Sequence, residues 1–341
     1  MVEIDGSYGE GGGQILRSCL TLSCLTGLPF RIYNVRAKRR EPGLKPQHLL
    51  SAQAAALITV ADMSGAVEGS TELSFKPGAI RPGSYTFDVG LRKGSAGSTL
   101  LIFQTIALPL VFAPSPSRAV IKGGTHVKLS PPADYIKDVF LPAISRFGIK
   151  IDFKNPVKGY YPIGKGEIEA AITPSAALSP VDLTKRGRLL TLKVISRVSN
   201  LPLSIAERQL KAALGRLKGF DAEGVLEEAP SIGRGTFVFI LADFNDIKAG
   251  FSALGERGKR AEAVGSEAAE GFLKYMARDG ACDPHLGDQI ALCMALAKGR
   301  SAITTTEVTS HLLTNIHVIE KFLPVRFSIE GDLGKPGRVE A

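Results

Sequence analysis

The stretch LGDQIALCMALAKGRSAITTTEVTSHLLTNIHVIEKFLPVRFSI, residues 286–329, decides the fold. Its apolar spacing predicts a helix over Leu286 to Ala297, a strand over Ser301 to Val308, a second helix over His311 to Leu323 and a second strand over Val325 to Ile329. In that last strand Val325, Phe327 and Ile329 alternate with Arg326 and Ser328. The same order occurs twice upstream. One copy runs through Gln14 to Thr26, Pro29 to Val35, Pro46 to Asp62 and Glu72 to Phe75. Another runs through Ser98 to Phe112, Arg118 to Lys122, Ala133 to Phe147 and Ile149 to Phe153, with Ile136, Val139, Phe140 and Ile144 on one helical face. Residues 185–281 break the pattern. They read as strand Leu189 to Val198, helix Ser204 to Leu217, strands Gly224 to Glu228, Thr236 to Asp243 and Asp246 to Ser252, then helix Lys259 to Ala277. The expectation is an α/β protein in which three repeated α/β units form a large domain, residues 1–184 and 282–341. A smaller α/β domain, residues 185–281, is inserted before the third unit.

Composition narrows the function classes. At 341 residues, 44% hydrophobic and 22% charged, the chain is neither disordered nor a disulfide-stapled scaffold. Its 42 Lys and Arg against 33 Asp and Glu leave a net charge of +9, which favours anionic partners without specifying nucleic acid. Cys19, Cys24, Cys282 and Cys293 form no CxxC pair and sit in or beside apolar runs, so they are expected as buried thiols in a reducing cytoplasm. Glu3, Asp5 and Glu10 stand where a signal peptide needs basic residues. No run reaches the ~20 apolar residues of a membrane span, so no membrane partner is expected.

The densest chemical signal is Gly9-Glu10-Gly11-Gly12-Gly13-Gln14, followed at once by a helix. Glycines let backbone amides approach a phosphate, and the helix N-terminus adds positive potential. Glu10 can hold a divalent cation against phosphate oxygens, and Arg17 can pair with phosphate as a fork. Next come Arg36, Lys38, Arg39 and Arg40, expected on an extended segment with Arg36, Lys38 and Arg40 sharing a face. A Pro42-Gly43 turn and a helix opened by Lys45, Gln47 and His48 follow. Gly159-Tyr160-Tyr161-Pro162-Ile163-Gly164-Lys165-Gly166 imitates a P-loop but lacks the Ser or Thr after the lysine, and Tyr-Tyr-Pro is expected as a stiff strand. Ser310 is the expected N-cap of the last helix, which puts His311 at its first position, where the helix field keeps the imidazole neutral as a nucleophile or base. His317 falls on another face. Asp288, opening the other helix of that unit, is placed to approach the same cleft.

Together these segments resemble the RNA 3′-terminal phosphate cyclase family. The resemblance runs through GEGGGQILRS at Gly9 to Ser18, the basic stretch from Arg36 to Arg40, PGL at Pro42 to Leu44 and QH at Gln47 and His48. It continues through Gln104, GGT at Gly123 to Thr125, PPADY at Pro131 to Tyr135, GYYP at Gly159 to Pro162, DQ at Asp288 and Gln289, and HLLTNI followed by FLPVRF. It implies a ligase-type enzyme that uses ATP, with Mg²⁺ or Mn²⁺, to convert an RNA 3′-terminal phosphate into a 2′,3′-cyclic phosphodiester. His311 would carry a covalent AMP, and an RNA-adenylate would follow. The resemblance assigns Glu10 to the metal and Arg17, Arg36, Arg39, Gln47 and His48 to substrate phosphate or RNA. It assigns Gln104, Pro131, His285, Leu286, Gly287, Asp288 and Gln289 to the nucleotide. One position departs: the family often has Tyr where this chain has His285, and imidazole also stacks. Two other classes remain to be weighed, a non-catalytic ribosome-assembly relative and an enolpyruvyl transferase, and the HLLTN histidine argues against both. A homo-oligomer is left open.

Overall fold

A computed structural model describes residues 1–89 and 96–341 as a mixed α/β protein with four four-stranded sheets among the described residues. In the first, β1 (Val2–Asp5) leads through α1 (Gly13–Thr26) to β2 (Phe30–Tyr33), and α2 (Pro46–Thr59) leads to β3 (Asp62–Ser64) and β4 (Leu73–Lys76). The strand order is β1-β2-β4-β3, with β1 and β2 parallel and the other two pairings antiparallel. The second sheet has the same order and pairing senses. Its elements are β5 (Ser84–Asp88), α3 (Thr99–Val111), β6 (Ser117–Gly123), α4 (Ala133–Tyr135), a π-helical turn over Ile136–Phe140, α5 (Leu141–Ser145), β7 (Lys150–Val157) and β8 (Gly166–Thr173).

After β9 (Asp182–Leu183) the chain builds a sheet of its own kind. β10 (Leu189–Ser199), α6 (Leu203–Arg216), β11 (Ala222–Glu228), β12 (Gly235–Phe244), β13 (Lys248–Leu254) and α7 (Ala261–Met276) give the order β11-β10-β12-β13. The chain then returns through α8 (Leu286–Leu296), β14 (Ala302–Thr305), α9 (Ser310–Phe322), β15 (Ser328–Glu330) and β16 (Gly337–Glu340). β14 pairs parallel with β9 and antiparallel with β16, so this sheet too reads parallel, antiparallel, antiparallel from its first strand.

The helices turn inward. Helix α1 packs on α2, α3 and α9, and α8 packs on α9, so helices belonging to three sheets share one core. Leu16, Leu20, Ile106 and Val318 are fully or almost fully buried there, and each such side chain is worth ~1.5–3 kcal/mol of apolar transfer. Helix α1 stops where Gly27 takes the left-handed conformation (φ 71°) and returns its N–H to the Ser23 carbonyl.

Several local expectations are corrected. The second helix ends at Thr59, because Val60 is left-handed, and Asp62–Ser64 is strand instead. Residues 35–41 form turns rather than an extended run: Asn34 and Arg36 both have positive φ, so Arg36, Lys38 and Arg40 share no strand face. The segment 159–164 is a tight turn closed by a Tyr160–Gly164 bridge, not a stiff strand. The last helix is capped by Thr309, whose side chain accepts from the Leu312 N–H, so His311 is its second residue. The final predicted strand begins only at Ser328, because the Phe327 N–H is taken by Glu320 Oε1 rather than by a ladder. The four cysteines are free and buried as expected. No helix among the described residues is long and apolar enough to cross a membrane.

Candidate active site

A cleft of about 1200 Å³ opens where the N-terminal ends of α1, α2, α8 and α9 converge. Gly12 and Gly13, Lys45, Gln47 and His48, His285 and His311 all line it. Four helix starts aimed at one space give it a positive potential suited to phosphate.

The glycine turn is shaped by its neighbours as much as by its own freedom. Gly9 has φ 56°, and a Cβ there would lie 2.3 Å from Thr314 Oγ1. A Cβ on Gly13 would lie 2.1 Å from His48 Nε2. His48 itself is buried, and its Nδ1 accepts from the Lys45 N–H at 3.0 Å. Burial, with the cations Arg17, Arg36 and Lys45 nearby, pushes its imidazole down to about 3. A neutral His48 thus braces the turn from below.

Above the turn, His311 Nε2 lies 3.0 Å from Glu10 Oε2, and Arg39 Nη2 lies 3.4 Å from the same oxygen. The His311 side chain is 43% exposed and opens to the cleft. Burial lowers its pKa, Glu10 opposes that, and Arg17, His285 and Arg39 reinforce it. The ring is therefore held toward its neutral form. Arg17 is half-buried in the wall, where loss of water lowers its guanidinium to about 10, still a cation at neutral pH. Asp288 faces it. Burial and the neighbouring Asp283 raise the Asp288 carboxyl well above the usual range, and its Oδ1 is buried without a hydrogen-bond partner.

Cross-links hold these parts in register. Gln14 Nε2 donates to the His311 carbonyl, Ser18 Oγ to Asn315 Oδ1, and Asn315 Nδ2 to the Asp288 carbonyl. Gln104 Nε2 donates to Gln289 Oε1 at 2.8 Å. Four helices, α1, α3, α8 and α9, are thereby tied around the histidine.

Of the residues singled out from sequence, Glu10, Arg17, Arg36, Arg39, Gln47, His48, Gln104, Pro131, His285, Asp288, Gln289 and His311 all line the cleft. Leu286 and Gly287 do not. Leu286 is wholly buried, and Gly287 faces Ile303 and Thr305 of β14. The Arg36 guanidinium is occupied by the Glu41 and Gly43 carbonyls, so it fastens its own loop. His317 stacks on Tyr8 at 3.7 Å and does not line the cleft. Asn315, read only as part of HLLTNI, and Asp283 were given no role from the sequence. Asn315 follows His311 by four residues, the spacing that shares a helix face. Asp283 precedes a helix, and its Oδ1 accepts from the His285 and Leu286 N–H groups as a capping oxygen does.

Among the described residues no three His, Cys, Asp or Glu side chains gather as a metal cage. Glu10 offers one carboxylate at the phosphate-attracting turn, which fits a cation such as Mg²⁺ that keeps water and phosphate oxygens as most of its ligands.

Residues 8–329 match the family model described as RNA 3′-terminal phosphate cyclase. A protein of that name from Pyrobaculum neutrophilum is 46% identical over 334 residues, covering 96% of this chain and 95% of the relative. Its namesake from Methanopyrus kandleri is 42% identical over 349 residues, covering 100% and 98%. The one from Ralstonia nicotianae is 42% identical over 332 residues, covering 97% and 94%. With a family match over nearly its whole length and relatives this close, the chain belongs to the RNA 3′-terminal phosphate cyclase family of enzymes.

Proposed function

We propose that this protein uses ATP to cyclise RNA 3′-terminal phosphates, with His311 as the nucleophile. The observation that carries the reading is a neutral-leaning imidazole, 3.0 Å from Glu10, at a cleft onto which four helix N-termini open. An imidazole nitrogen attacks the α-phosphorus of ATP, the bond to the bridging oxygen breaks and pyrophosphate leaves. A terminal oxygen of the RNA 3′-phosphate then displaces the imidazole, giving an RNA-adenylate. The neighbouring 2′-hydroxyl oxygen attacks the RNA phosphorus, gives up its proton, and AMP departs.

The residues act by position and charge. Arg17 and Arg39 offset the negative charge that gathers at phosphorus. Pro131 and His285 bracket the base, and the Gln104–Gln289 pair offers amides to its edge. Glu10 would hold Mg²⁺ or Mn²⁺, which supplies charge neutralisation of the triphosphate. We read the three sheets of common strand order as repeats of one unit within a large domain, 1–184 and 282–341, with 185–281 as the inserted domain. Four free, buried thiols suit a cytoplasmic setting.

The test is covalent. Wild-type protein incubated with ATP labelled in its α-phosphate is expected to retain an acid-labile adduct, and His311→Ala to retain none. Because the side chain is 43% exposed, His311→Ala is also expected to unfold within about 0.5 kcal/mol of wild type, which separates lost chemistry from lost folding. A wild-type protein that cyclises RNA without forming the adduct overturns the assignment.

A further inference from the structure

The cleft exceeds the roughly 300–1,000 Å³ of an ordinary small-molecule pocket, and its far wall comes from residues 185–281, where Ser252 of β13 and Gly271 and Lys274 of α7 line it. No sequence motif had tied that wall to chemistry. Its charges are informative. Four exposed cations line the cleft: Arg39, Arg40, Lys274 and Arg278. Arg39 meets Glu10, and Arg278 Nη1 lies 2.7 Å from Glu307 Oε2. The cleft's Glu267 and Glu41 are likewise matched, by Lys259 and Lys45. The side chains of Arg40 and Lys274 have no hydrogen bond or ion pair among the described residues. They come from chain segments more than two hundred residues apart, yet line one cleft.

We propose that Lys274 and Arg40 hold backbone phosphates of the RNA strand just upstream of its reacting 3′ end. The inference rests on the cyclase reading and deepens it. AMP transfer requires two polyanions in the cleft at once, and the second must lie where the nucleotide does not. The wall formed by α7 supplies that room and an unspent positive charge. The contact reads backbone rather than sequence. A lysine ammonium is a point charge without base-specific geometry, and the rings of Tyr135, Phe140, Phe251 and Tyr275 that border the cleft are buried, leaving bases no open aromatic face there.

The experiment measures binding of a fluorescent oligoribonucleotide bearing a 3′-phosphate to the full chain between 50 and 200 mM salt. Lys274→Ala and Arg40→Ala are each expected to make the log–log salt slope shallower by about 0.7, the single-strand value for one phosphate. Over that fourfold salt range the deficit relative to wild type then shrinks about 2.6-fold per lost contact, and about sevenfold in the double variant. Lys274→Arg should keep the wild-type slope. In turnover, both alanine variants should raise KM for the RNA end more than KM for ATP. Unchanged slopes overturn the proposal, as does a Lys274→Arg protein as impaired as Lys274→Ala. A wild-type chain that makes no cyclic phosphate defeats the cyclase reading instead, so the two failures are distinct.

Discussion

Among the described residues two histidine–carboxylate pairs occur, and they differ in everything but chemistry. His311 and Glu10 stand 3.0 Å apart with side chains 43% and 33% exposed. His126 and Asp134 stand 2.6 Å apart with side chains 0% and 10% exposed. In the second pair every polar atom is spoken for: Arg197 forks onto both Asp134 oxygens, and Thr125 Oγ meets the far ring nitrogen. Arg197 lies on β10 and Asp134 on α4, so the cluster rivets residues 185–281 to the rest. The guanidinium and the His126 contact hold Asp134 well below the carboxylate range against the effect of burial, while burial lowers His126. The cluster is thus an Arg⁺–Asp⁻ pair with a neutral histidine donor. Saturated and sealed, it has nothing left to offer a substrate. The open pair leaves the His311 side chain 43% exposed at the cleft, the access that the proposed nucleophile requires.

The largest test of this contrast is thermodynamic. Asp134→Asn leaves Arg197 buried against a neutral amide and should cost about 3–5 kcal/mol of unfolding free energy. Glu10→Gln breaks a half-exposed pair and should cost no more than about 1 kcal/mol. Urea unfolding of both variants decides it. Equal losses would mean that the cleft pair, too, is built for stability.

How much of this was legible beforehand follows the same division. The helices were, because Ile136, Val139, Phe140 and Ile144 or Leu312, Ile316 and Ile319 write a 3.6-residue period into the chain. The glycine turn and HLLTN carried the open pair, since each is a local cluster that keeps its meaning in isolation. The buried cluster was not legible: His126, Asp134 and Arg197 are united by folding across 63 to 71 residues, and no local spacing records that. Strands β1, β3, β5, β9 and β16 escaped as well, because two to five residues are too few to show a period, and β8 was missed although its eight residues do alternate in burial. Arg36 misled because a run of cations looks extended until the positive φ at Asn34 and at Arg36 itself curls it.

A third histidine sharpens the contrast between sealed and open rings. His48 is buried beneath the glycine turn with its imidazole lowered to about 3, against 6.5 when unfolded. Between those values the unfolded chain takes up a proton that the folded chain refuses. Stability therefore falls with falling pH, by ~1.4 kcal/mol per unit from this residue. His48→Gln should remove that part of the slope when unfolding is followed between about pH 6 and pH 4. A variant whose slope matches wild type would show that the ring protonates in place.

The smallest effect concerns the open ring alone. If His311 is the nucleophile proposed above, its imidazole must be neutral, so the adenylation rate should fall on the acid side through a pKa below 6.5, the direction that burial and the nearby cations impose. Glu10, Arg17, His285 and Arg39 all face His311, and they pull in opposite senses. Removing the carboxylate in Glu10→Gln takes away the group that stabilises imidazolium, which moves the acid limb to lower pH. Removing a cation in Arg39→Ala takes away one that opposes imidazolium, which moves the limb to higher pH. Each profile is normalised to its own plateau in single turnovers with ATP, because the proposed function also gives both residues a part in holding substrate. Limbs that move together, or not at all, would assign the titration to another group. Opposite shifts would place it on a ring within reach of both Glu10 and Arg39, as His311 is.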